Sequence, residues 1–168
     1  MVEIVECEED GKKVLVVLQQ NTVVVVPVIR FDGKMYTLLV EEFWFGAHEM
    51  LSGFPTVVLV SESLFACARR VLWERLLVDA RFGVEFVEMD IGGRAYSSPQ
   101  STNEQMRFVR AEIALPWDVL VVEMDGAVVL RDGLHVLPVM VRELVDDVMF
   151  ELPVLGHKLA LHVVVAGL

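Results

Sequence analysis

The chain has 168 residues, 55% of them hydrophobic, and a formal net charge of -11, with a mean hydropathy of +0.54. That length suits one domain, 1–168, with a sizeable core. The acidic excess repels phosphate backbones and argues against a nucleic-acid partner, and no run of about 18 apolar residues marks a membrane span.

Cys7 and Cys67 make no disulfide or metal framework. The opening MVEIVECEEDGKK lacks a signal-peptide core, so an intracellular, cytoplasmic location is expected. The apolar excess has two readings: a valine-rich core, or an interface with a second copy or a protein partner.

In chain order, 14–18 and 22–29 read as strands, with VVVV at 23–26 a buried run. RFDGK at 30–34 contains Asp-Gly, a strong hairpin signal, and 35–42 is the return strand. Residues 43–54 read as loop plus a short strand. The spacing of Leu64, Ala68, Val71, Leu72 and Arg75 predicts a helix over 61–77, capped by Ser61 or Ser63. Strand character returns at 84–91, and GGRAYSSPQSTNEQ at 92–105 is a polar loop. Further strands are expected at 106–113, 120–124 and 134–139. Two closing helices are expected at 141–149 and 154–166, the second opened by Pro153.

Several segments together resemble a known family. EEFWFGAHEMLSGFP (41–55) is similar to a segment that reads roughly EQFRxxxGxxxLExPAG. YSSPQSTNEQMRFVRAEI (96–113) is similar to a loop SPGxxxExxxxF and the strand after it, and LHVLPV with a later GHK resembles a closing segment. The family is the Nudix hydrolases, in their ADP-ribose and ADP-sugar diphosphatase branch. The resemblance implies an α+β Nudix fold, a mixed sheet in an α-β-α sandwich with one box helix and C-terminal helices. It also implies Mg²⁺- or Mn²⁺-dependent hydrolysis of a nucleoside diphosphate sugar.

The signature of that family is G-x5-E-x7-R-E-U-x-E-E-x-G-U, with U bulky and aliphatic. Glu62, Arg70, Leu72, Glu74 and Val78 fit it. The departures fall on its chemistry. Val57 stands where the first glycine belongs, one residue too close to Glu62. Val71 replaces the glutamate after the arginine, Arg75 the second glutamate of the pair, and Leu77 the last glycine. Outside the box, Trp44 stands at an arginine and Gly53 at a glutamate.

Positions 71, 74 and 75 are related by i, i+3 and i+4 and are expected on one helix face. Three carboxylates there would hold hard divalent cations, which neutralise a diphosphate and activate water. Here only Glu74 remains. Arg75 adds a fixed charge worth roughly 4 kcal/mol at 4 Å and an effective dielectric of 20, doubled against a divalent ion.

The resemblance places Glu74 and Glu104 as catalytic candidates and Glu62, Glu74 and Glu104 as the metal set if a metal is held. Arg70, Arg75 and Trp44 are the substrate-binding candidates. The bland alternatives are a solvated loop for Glu104, an exposed helix residue for Glu74, a surface cation for Arg70 and core packing for Trp44. The four histidines have no metal spacing.

Three functions follow. One is a Nudix-fold protein impaired in hydrolysis that binds a nucleoside-diphosphate-like ligand or serves as a subunit, with no metal. The second is an active Mg²⁺ or Mn²⁺ hydrolase with a remodelled site. The third is a noncatalytic interaction module, with a protein partner favoured over RNA by the acidic charge.

Overall fold

The computed structural model describes residues 3–9, 11–18, 20–31, 33–44, 48–76, 78, 82–90, 95–96, 104–114, 120–122, 127–132, 135–143, 152 and 155–166. Strands β1 (Glu3–Glu9) and β2 (Lys12–Leu18) pair with each other, antiparallel, as a separate two-stranded sheet. Their turn uses Gly11 at φ +72, a left-handed conformation that favours glycine.

Among the described residues, ten strands make the main sheet. They are β3 (Thr22–Phe31), β4 (Lys34–Trp44), β5 (Glu49–Gly53), β6 (Thr56–Val58), β7 (Gly83–Glu88), β8 (Ala95–Tyr96), β9 (Gln105–Ala114), β10 (Leu120–Val122), β11 (Ala127–Asp132) and β12 (His135–Glu143). The order is β10-β11-β12-β4-β3-β9-β7, with β5 on β4, β6 on β3 and β8 on β9. The β3–β9 pair is parallel, with Val24 opposite Phe108.

Strand β3 is the hub because it serves both faces. Val23, Val25 and Ile29 join a core with helix α1 (Leu64–Leu76). Val24, Val26 and Val28 join a second core with helix α2 (Leu155–Val165), built with Phe108, Leu161 and Val164. Period-two alternation with both faces covered explains the unbroken valine run. The result is an α+β sandwich with α1 on one side of the sheet and α2 on the other.

On one side β3 changes partners, from β6 at Thr22–Val24 to β4 at Ile29–Phe31. Pro27 sits in that gap, where its missing N–H costs no ladder bond. The Thr37 hydroxyl donates to the Pro27 carbonyl at 2.6 Å, and Val25 N–H donates to the Pro55 carbonyl at 2.9 Å. These bonds satisfy buried backbone groups that the sheet leaves open.

The expected helix at 141–149 is corrected at its first three residues. Val141–Glu143 continue β12 and pair with Leu38, Thr37 and Tyr36 of β4, because a partner strand is there to take their backbone groups; 144–149 lie outside the described residues. The 92–105 loop contains β8, and its 92–94 and 97–103 lie outside them too. Strands β1, β6 and β11 are additions to the sequence reading. Among the described residues no helix is long and apolar enough to cross a membrane.

Candidate functional site

Helix α1 begins at Leu64, and Ser63, not Ser61, caps it. The Ser63 hydroxyl accepts Ala66 N–H at 3.3 Å and its carbonyl accepts Cys67 N–H at 2.9 Å. Ser63→Ala is expected to cost about 1 kcal/mol, seen as a lower urea midpoint with an unchanged slope.

Glu62 precedes the helix, and Arg70 lies two turns along it. Arg70 Nε and Nη2 donate to Glu62 Oε1 at 3.1 and 2.6 Å, and Nη1 donates to Glu74 Oε2 at 3.2 Å. One guanidinium therefore holds two carboxylates. The Arg70 hydrogen bond keeps the Glu62 carboxyl below its ordinary range, and Glu62 in turn raises Arg70. Cys67 is buried beside them. Burial first, then the Glu62 charge, pushes its thiol up to about 11. It stays protonated at neutral pH and donates to the Val58 carbonyl at 3.9 Å.

The shared face expected for 71, 74 and 75 is resolved into three environments. Val71 is 0% exposed and packs in the α1 core. Glu74 and Arg75 flank it, about 60° to one side and about 40° to the other at 100° per residue. Arg75 projects past the core edge to Glu42 of β4, Nη1 to Oε1 at 2.8 Å. Its side chain is 47% exposed.

Glu104 lies just before β9. Its carboxylate accepts the Thr22 hydroxyl, and Asn21 Oδ1 accepts Gln105 N–H at 3.3 Å. Thr22 is also opposite Val58 of β6, so Glu104 sits at the β6 end of the β3–β9 pair. Trp44 ends β4, and its side chain lies outside the described set. Among the described residues no three His, Cys, Asp or Glu side chains are grouped to hold a metal ion. The box face as built fits a hard divalent cation poorly: position 71 offers no oxygen, 75 offers a cation, and Glu74 already faces a guanidinium.

An open cleft of about 580 Å³ lies at the other end of β3, lined by Val28, Arg30, Val84, Glu85, Glu112 and Ile113. Arg30 and Arg110 both approach Glu112, at 3.2 and 3.4 Å. Arg30 chiefly holds the Glu112 carboxyl below its ordinary range. None of the box residues lines this cleft.

His157 is a residue whose role the sequence reading missed. It is 2% exposed, and its Nδ1 accepts Phe54 N–H at 3.3 Å. A Cβ at Gly53 would stand 3.1 Å from its ring. The signal was present as Gly53 and GHK, a hundred residues apart, but the contact itself is tertiary.

No family model and no curated protein matches the chain. A solved structure, "Crystal structure of ADP compounds hydrolase", is similar in fold, with a TM-score of 0.61 at 20% identity. The match covers 99% of this chain and 84% of that one. The chain therefore has the α+β Nudix fold that its motifs implied.

Proposed function

We propose that this protein is a noncatalytic Nudix-fold subunit, one that does not hydrolyse diphosphates through a divalent metal. The observation that carries this reading is the pairing on α1. A core valine, a carboxylate held by Arg70 and an arginine held by Glu42 occupy the three box positions. Among the described residues no cluster of carboxylates supplies a donor set for charge neutralisation of a diphosphate or activation of water.

The subunit role is supported by apolar side chains left in solvent. Ile4 and Leu15 on the β1–β2 hairpin are 66% and 63% exposed, and Phe43 and Met50 are exposed opposite each other on β4 and β5. A second copy of this chain is the simplest partner.

Incubation with ADP-ribose and Mg²⁺ or Mn²⁺ is expected to release no AMP above the protein-free control. Light scattering is expected to give the mass of a dimer that Ile4→Asp with Leu15→Asp converts to monomer. AMP release that Glu74→Gln and Glu104→Gln abolish would establish the remodelled enzyme instead.

A second reading is favoured by the exposure of Arg75. A half-exposed ion pair is worth at most about 1 kcal/mol, so Arg75 can exchange Glu42 for a phosphate oxygen. A nucleoside-diphosphate-like ligand would then bind without metal. Calorimetry with ADP-ribose in EDTA tests this: heat lost in Arg75→Gln supports it, and no heat at millimolar ligand sinks it.

A further inference from the structure

We propose that His157 is a proton-sensitive latch that fastens α2 to the turn between β5 and β6. The inference does not depend on the functional reading above. It concerns a contact on the opposite face of the sheet from α1.

The latch has a built receptor. Gly53 supplies the space, since a Cβ there would press on both Cε1 and Nδ1 at 3.1 Å. Phe54 N–H donates to Nδ1 at 3.3 Å. Nδ1 is thus the acceptor and Nε2 carries the proton. Nε2 faces Thr56 Oγ1 at 3.4 Å, and that hydroxyl donates onward to the Phe54 carbonyl at 2.9 Å. The Phe54 ring lies against the imidazole, centroids 5.6 Å apart and tilted 51°. Every polar atom of the ring has a partner, and only the neutral form fits. A proton on Nδ1 would set donor against donor at Phe54 N–H and bring a charge into an apolar core.

Among the described residues the surroundings offer that charge little compensation. The turn contributes Gly53, Phe54, Pro55 and Thr56, none titratable. On α2 the other titratable groups are Lys158 and His162. On the sheet elements packed against α2, the charged groups on the α2 side of β3 and β9 are Arg30, Arg110 and Glu112, with Glu104 just ahead of β9. None of these is a bonded partner of the ring. Burial alone lowers the imidazole to about 4, from an ordinary 6.5.

The moving element is α2. It buries Ala160, Leu161, Val163 and Val164 against β3 and β9. Protonation therefore favours a state in which the ring leaves its receptor, and α2 goes with it. Between pH 7 and pH 5 a group shifted from 6.5 to about 4 favours the open state by a factor of about 20.

The test is amide hydrogen exchange on the full chain at pH 7 and pH 5, expressed as protection factors. In the wild-type protein, Phe54 and the amides of α2 are expected to be less protected than those of β9 at pH 7, where β9 opens only in global unfolding, and to lose about twentyfold in protection at pH 5. His157→Gln retains an acceptor and a donor without a titrating proton, and is expected to abolish the loss. Gly53→Ala is expected to open the same amides at pH 7. Wild-type α2 that stays protected at pH 5, or whose protection equals that of β9 at both pH values, overturns the latch. So does a His157→Gln protein with the wild-type response. If either variant fails to fold, the wild-type comparison of α2 with β9 decides alone.

Discussion

Val71→Glu is expected to lower the unfolding free energy by about 3–5 kcal/mol, the scale for an uncompensated charge in a core. Val71 is fully buried among Leu72, Leu76, Val23 and Ile113. The cations beside it on its helix are engaged, Arg70 by Glu62 and Glu74 and Arg75 by Glu42. Part of the penalty will appear as a raised carboxyl pKa, since the new side chain avoids charging where it cannot be solvated. Urea titrations at pH 7 and pH 5 should therefore show a smaller loss at pH 5. A loss under about 1 kcal/mol at pH 7 would place position 71 within reach of solvent and contradict its core assignment. A carboxylate at position 71 is therefore not one substitution away, because the helix packs on Val71.

Acid is expected to destabilise the wild-type protein by about 3 kcal/mol through His157 alone, from the shift between 6.5 and about 4 at 1.36 kcal/mol per unit. The folded imidazole has the lower pKa, so the unfolded chain binds the proton first. Stability is fully present above pH 6.5, falls as pH drops below it, and the loss is complete below about 4. The depressed carboxyls act in a later window. Glu62, held by Arg70, and Glu112, held chiefly by Arg30, contribute stability above 4.5 that is lost as they protonate at lower pH. A denaturation series from pH 8 to pH 3 separates the two. His157→Gln should remove the dependence between 6.5 and 4.5 and leave the acid limb.

Local pattern made much of the fold readable from sequence. The valine run at 23–26, the Asp-Gly turn before β4 and the spacing of Leu64, Ala68, Val71 and Leu72 each have a short-range cause. The failures also have causes. EIVECEE at 3–9 reads as an acidic start, yet it pairs residue for residue with KKVLVVL, and strand pairing depends on a partner the window does not contain. Val141–Glu143 fit helix or strand by composition, and Leu38, Thr37 and Tyr36 decide for strand. In the candidate site, the E-x7-R spacing singled out Glu62 and Arg70 but did not show that they pair with each other. Helical spacing also put 71, 74 and 75 on neighbouring positions. It did not show that Val71 packs inward while Arg75 reaches Glu42, because Glu42 comes from a different strand. His157 was beyond reach for the same reason, since its receptor is a glycine and a turn a hundred residues away.

The most direct measurement is a Mn²⁺ titration followed by electron paramagnetic resonance, with ADP-ribose present and absent. If the α1 pairings hold, the free Mn²⁺ signal will match that of buffer up to millimolar metal in both series. A saturable site that disappears in Glu74→Gln with Glu104→Gln would contradict the noncatalytic reading and make the chain a metal-dependent enzyme.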